Sequence, residues 1–188
     1  MKNKITWAFA IAVGLFVYLS GSGSFEEFQD KTLSEFRQLA TSERKDIAEE
    51  FASENDLPSD SVDGIYACLS QMVFTKSADL KLGEVAGWCK TDYENGQLGK
   101  YINFDNFENG FSKWDGAFSE LETIVKDAMN DSDSYEHVQT RYRLVLDDNP
   151  KAIVTTQFKG KNGFGAIVKN QVSASVDIET GKVKEIIQ

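Results

Sequence analysis

The sequence predicts an α+β fold: a helical N-terminal half stapled by a disulfide, then a helix with a four-stranded antiparallel meander. Three observations carry this. Apolar residues recur every three or four positions from Phe25 to Tyr93, the only two cysteines fall on that helical spacing, and alternation with a period of two sets in at Val138. The units expected are a signal or anchor segment at 1–24, a helical subdomain at 25–95, a linker at 96–115 and an α+β sheet domain at 116–188.

Lys2 and Lys4 precede an uncharged apolar run, Ile5 to Leu19, which ends in Ser20-Gly21-Ser22-Gly23-Ser24. A basic flank, an apolar stretch and then small residues make an export signal, and the lysines stay on the cytoplasmic side while the body crosses. The run is shorter than the ~20 residues of a comfortable span. Trp7 and Tyr18 near its ends suit interfacial anchoring and favour a retained apolar helix; Ser20 with Ser22, or Gly21 with Gly23, offer a signal peptidase a site instead. No Cys follows the run, which excludes lipid attachment there. The expected location is the cell envelope, with membrane contact through residues 5–19 and the body outside the cytoplasm, periplasmic if cleaved.

In an oxidising compartment the two cysteines, Cys68 and Cys89, are expected to pair. Ile65, Cys68, Leu69 and Met72 share one helical face, and Leu82, Val85, Cys89 and Tyr93 share another. A polar turn from Thr75 to Asp79 would set these helices antiparallel and bring both sulfurs to their seam. Two cysteines without a nearby His do not complete a zinc site, and their spacing is not that of a redox pair.

Upstream, Phe25, Phe28, Thr32, Phe36 and Leu39 keep the helical spacing, and Ile47 and Phe51 resume it after a polar stretch at Ser42-Glu43-Arg44-Lys45. Two helices, or one with a solvated middle, fit this pattern. Leu57-Pro58 punctuates, with Ser59 or Asp60 expected to cap the next helix. From Glu94 to Asp115 the chain is rich in Asn, Gly and aromatics without clear period, the character of an ordered linker or aromatic-packed loop. Calcium loops at Asp105 and at Asp131 fail on spacing, because Phe107 takes a ligand position in one and Glu136 replaces the required glycine in the other. No metal and no cofactor is expected.

Phe118, Leu121, Ile124, Val125 and Ala128 line one face of a last helix. Val138, Thr140, Tyr142, Leu144 and Leu146 then alternate with Gln139, Arg141 and Arg143, with His137 placed on the face opposite Val138 and Tyr142. A second strand runs from Ala152 to about Lys159. In a third, Val168, Val172, Ala174, Val176 and Ile178 mark the buried face; Thr180-Gly181 turns the chain into a last strand, Val183 to Ile187. One helix wrapped by such a meander resembles the architecture of cystatin-like folds, a likeness of shape alone.

Asn130-Asp131-Ser132-Asp133-Ser134-Tyr135-Glu136-His137, followed by Phe158-Lys159-Gly160-Lys161-Asn162-Gly163-Phe164-Gly165, resembles a pattern recurring in small, uncharacterised exported or membrane-anchored bacterial and prophage proteins. The resemblance covers roughly the last 75 residues. It implies a bacterial origin and brings no activity with it. The Gly160–Gly165 stretch lacks the order of a phosphate loop, and Asn162-Gly163 signals a hairpin turn through positive φ. Its tip, with Lys159, Lys161, Asn162 and Phe164, is the candidate binding loop.

The formal net charge of −10 argues against nucleic acid or an anionic membrane surface as partner. One His without a nucleophile partner makes no triad, and no carboxylate pair sits in a context that would split its pKa values. The expectation is a non-enzymatic, membrane-anchored binding module that recognises another envelope protein or an incoming one, in the manner of an inhibitor or, from the prophage-like pattern, a phage-exclusion factor. The alternative is an envelope hydrolase whose site is built from acidic residues and His137 at the subdomain junction, which requires a concave pocket with converging carboxylates there.

Overall fold

A computed structural model describes residues 24–187. The apolar helix expected at residues 5–19 lies outside the described residues, and within them no helix is long and apolar enough to cross a membrane. The described chain is α+β, with six α-helices and a four-stranded antiparallel sheet.

The helical part comprises α1 (Leu33–Gln38), α2 (Thr41–Glu54), α3 (Val62–Thr75) and α4 (Leu82–Glu94). A capping box starts α1: the Glu35 amide donates to Thr32 Oγ1 at 3.2 Å, and the Thr32 amide donates back to Glu35 Oε2 at 2.7 Å. The break between α1 and α2 falls at Leu39 and Ala40, both extended, and not at the polar stretch Ser42–Lys45. Those residues open α2 instead, and Arg44 among them is buried because carboxylates outside its helix receive its guanidinium. Neither Ser59 nor Asp60 caps α3. Residues Ser59–Ser61 form a 3₁₀ turn ahead of it, and Ser61 takes the cap position while its hydroxyl donates back to the Pro58 carbonyl at 2.7 Å.

Cys68 on α3 and Cys89 on α4 form the disulfide, with Cα atoms 5.9 Å apart. Both are fully buried beside Ile65, Leu69, Leu82 and Val85, the apolar positions whose helical spacing predicted the seam.

The second core lies under the sheet, whose strands β1 (Glu136–Val145), β2 (Lys151–Lys161), β3 (Ile167–Asp177) and β4 (Val183–Ile187) follow the order β1-β2-β3-β4. Ala152, Val154, Thr156 and Phe158 of β2 and Ala174 and Val176 of β3 point to one face, where α6 (Ser119–Ala128) presents Leu121 and Val125. Of the residues read as inward in β3, Ala174 and Val176 are fully buried, with Ser175 between them also buried, whereas Val168 and Val172 are half-buried. Lengths explain this: the 11 residues of β3 span roughly 36 Å, whereas the 10 of α6 span about 15 Å, so the helix covers less than half the sheet.

A second departure is in β1. His137 pairs with Phe158 and Gln139 with Gln157, so Val138 is an extra residue, a β-bulge. The bulge turns His137 onto the same face as Thr140 and Tyr142, the reverse of the side that simple alternation assigns.

Because the disulfide closes a loop with a sequence separation of 21 inside one core, its removal acts chiefly on the unfolded chain. The double variant Cys68→Ala/Cys89→Ala should lose about 3 kcal/mol of unfolding free energy, read from urea denaturation monitored by tryptophan fluorescence. A loss below about 1 kcal/mol would show that the cross-link does not constrain the denatured state in this way.

Candidate functional site

Residues 96–115, expected as a linker, contain a helix that the composition concealed. Helix α5 (Asp105–Asn109) is only five residues long, yet it presents a different chemistry on each side. Phe104 and Phe107, three apart, are fully buried in the sheet core. Asp105 and Glu108, also three apart, face the helical part. Asn106 donates from Nδ2 to the Glu179 carbonyl at 2.7 Å and so clips the β3–β4 turn. That turn approaches α5 closely: Gly181 has φ +67°, and a Cβ there would lie 2.4 Å from the Asn106 carbonyl oxygen.

The junction is an ion-pair cluster. Arg44 donates from Nη2 to Asp105 Oδ1 at 3.2 Å and from Nη1 to Glu108 Oε2 at 3.1 Å, while Arg37 Nε reaches Glu108 Oε1 at 2.7 Å. The Tyr66 hydroxyl bonds Asp105 Oδ1 at 2.9 Å. Burial raises the Tyr66 pKa well above the ordinary tyrosine range against the opposing charge of Arg44, and the hydrogen bond to Asp105 adds to the rise. The Arg37 guanidinium also lies 4.3 Å over the Phe74 ring, and Phe74 packs against both cores.

A concave groove of 450 Å³ does open at this junction, lined among others by Arg37, Leu39, Glu108, Phe111, Lys113 and Tyr142. Among the described residues Glu108 is the only carboxylate in its lining, and two arginines already bind it. The convergence of carboxylates that a hydrolase would need is thus directed onto Arg44 rather than into the groove.

His137 lies elsewhere. Its Nε2 is 2.9 Å from Thr140 Oγ1, which in turn is 3.1 Å from Thr156 Oγ1, and its Nδ1 is 3.8 Å from Asp115 Oδ2. The last distance is beyond hydrogen-bond reach, so the carboxylate does not orient the ring as an Asp–His relay requires. A side-chain hydrogen bond from Ser112, then the Ala117 amide, holds the Asp115 carboxyl below its ordinary pKa.

The candidate loop is largely occupied by its own structure. Lys159 pairs with Glu136 at 2.7 Å and Lys161 with Asp131 at 3.1 Å. Asn162 Oδ1 accepts the amides of Phe164 and Ala166, both at 3.0 Å, so its side chain builds the turn. Positive φ falls on Gly165, at +80°, rather than on Asn162 or Gly163. Phe164 is presented outward, 98% exposed. The stretches Asn130–His137 and Phe158–Gly165 meet here, since Ser134 Oγ accepts the Lys161 amide at 2.9 Å and Tyr135 stacks on Phe158 at 5.3 Å.

What the sequence reading did not single out is the solvent side of the sheet. The register aligns Gln139, Gln157 and Gln171 in one row, and Arg141, Thr155 and Ser173 in the next. Arg143 follows opposite Ile153. All of these but Ser173, together with Tyr142, line a depression of 260 Å³. Among the described residues neither Arg141 nor Arg143 forms a salt bridge to a carboxylate, in contrast to Arg37 and Arg44. The signal was present in the alternation, which put Gln139, Arg141 and Arg143 together on the face away from the core.

Comparison of the chain with protein-family models, with curated proteins and with solved structures found no match.

Two outcomes follow from the junction. Arg44→Met leaves the buried Asp105 without a cationic partner and Glu108 with Arg37 alone, and should cost about 3–5 kcal/mol of stability, whereas Arg37→Ala, at a half-exposed pair, should cost about 1 kcal/mol or less; equal losses in urea denaturation would contradict the assignment. The second concerns pH. Burial also pushes Tyr101 and Tyr135 up to about 12. A folded pKa above the unfolded value of about 10 gives stability that is complete below pH 10 and lost as pH climbs toward the folded values. Stability should therefore fall from about pH 10 upward, and Tyr66→Phe should flatten part of that slope; an unchanged slope would remove Tyr66 from the account.

Proposed function

We propose that the chain is a non-enzymatic binding module, held at the cell envelope by its N-terminal apolar segment with the body outside the cytoplasm, and that it recognises another protein. One observation carries this: among the described residues, Arg141 and Arg143 on the solvent side of the sheet form no salt bridge to a carboxylate, on a chain whose net charge is −10. Within residues 25–95, sixteen carboxylates outnumber seven lysines and arginines, so that unit carries −9. Against this background an unpaired basic face with rows of Gln and Thr offers hydrogen-bond donors for carboxylates on a partner. An inhibitor or a phage-exclusion factor fits these features, and the prophage-like sequence pattern motivates the second. The exposed side chains of Trp114 and Phe164, at 97% and 98%, add apolar contact points near the sheet domain.

The hydrolase alternative is the weaker one, because the groove at the junction holds a single carboxylate that arginines already bind. The test is photocrosslinking in intact cells with a benzoylphenylalanine in place of Gln157, Trp114 or Phe164 in the full chain. A discrete protein adduct recovered from the envelope is expected. Absence of any adduct, together with turnover of a substrate by the purified full chain, would overturn the binding module in favour of the enzyme.

A further inference from the structure

β1 is an edge strand with β2 on one side and no strand on the other. Among the described residues, no backbone group outside the sheet bonds to it. An unpaired edge of ten residues is long, and Val138 and Tyr142 on it are 39% and 40% exposed. Such an edge is a template for another strand.

Its two sides differ in chemistry. On the outer side Arg141 and Arg143 stand two residues apart, about 7 Å along the strand, above the 260 Å³ depression. On the inner side the 450 Å³ groove offers Leu39 and Phe111. Tyr142 lines both depressions, so they meet at the edge of β1. A strand laid along that edge sends successive side chains alternately to the two sides. Carboxylates would then face the arginines, and apolar side chains would enter the groove.

We propose that the free edge of β1 receives, by β-strand addition, an extended segment of another protein that carries carboxylates at alternate positions with apolar residues between them. The proposal rests on the binding-module function above and specifies its site. Charge selects the occupant. A second copy pairing antiparallel about Tyr142 would set Arg141 opposite Arg143 of its partner, and like charges directly opposed disfavour that dimer. A nucleic acid or an anionic bilayer would satisfy the arginines, but neither has the main-chain donors and acceptors to pair the edge.

The experiment uses the full chain in detergent and a ten-residue peptide alternating Glu and Val, matched to the length of β1. Expected are saturable binding by fluorescence anisotropy and slowed amide exchange confined to the free-edge amides of β1. N-methylating the odd or the even peptide amides separately should abolish binding in one register and spare it in the other. Arg141→Glu/Arg143→Glu should weaken the Glu–Val peptide about tenfold and reverse the preference toward a Lys–Val peptide; a merely unfolded variant would show no reversal. Equal binding of a poly-glutamate peptide, of both N-methylated forms, or of oligodeoxythymidylate or phosphatidylserine vesicles would overturn strand addition. If Phe164 or Trp114 crosslinks a partner while all the peptides are inert, the binding module stands and the β1 site falls.

Discussion

The contact between Arg44 and the carboxylates of α5 is the constraint on which the rest of the structure depends. The helical core and the sheet core are separate apolar clusters, and α5 is where they are joined. With 3.6 residues per turn, five residues suffice to direct Phe104 and Phe107 into one core and Asp105 and Glu108 toward the other. Hydrophobic burial alone would tolerate many relative orientations of two such bodies, because it is non-directional. Charge-assisted hydrogen bonds from a planar guanidinium do not. The buried Arg44 therefore serves orientation at a cost in desolvation.

That orientation makes the groove. Arg37 and Leu39 come from the helical part, Phe111 and Lys113 from the segment after α5, and Tyr142 from β1. Phe74 completes the arrangement, stacking on Phe104 at 4.8 Å while lying 6.5 Å from Tyr142. The disulfide contributes nothing to this geometry directly. It cross-links α3 to α4 within the helical core and stabilises one of the two bodies, leaving their mutual placement to α5.

The sequence made some of this legible and hid the rest for identifiable reasons. Long amphipathic helices announce themselves, so the seam holding Cys68 and Cys89 was readable residue by residue. The sheet was readable for the same reason in its period-two form. Helix α5 was not, because a segment of five residues has too few turns to display a period and Asn, Gly and aromatic residues mask it. In sequence Arg44 has the look of a solvated break, because nothing local reveals a carboxylate sixty-one positions away. The bulge at Val138 is equally silent: one extra residue leaves the alternation looking intact while reversing the side on which His137 falls. The basic sheet face was visible as a list of alternating residues, and became a surface only when strand register set three rows side by side.

Charge distribution gives the fold its asymmetry. The helical unit carries −9, whereas residues 116–188, with eleven carboxylates against nine lysines and arginines, carry −2. A long polyanion reaching across the molecule would meet repulsion from the helical unit over most of its length. A short acidic strand at β1 would not, since exposed charges farther apart than about 8 Å are largely screened at physiological salt. The same separation acts on the edge itself. Arg141 and Arg143 discourage pairing between identical copies, so one pair of residues both protects the edge and selects what joins it. An edge left open without such charges would be an aggregation hazard; with them, only a segment of complementary sign gains from the contact.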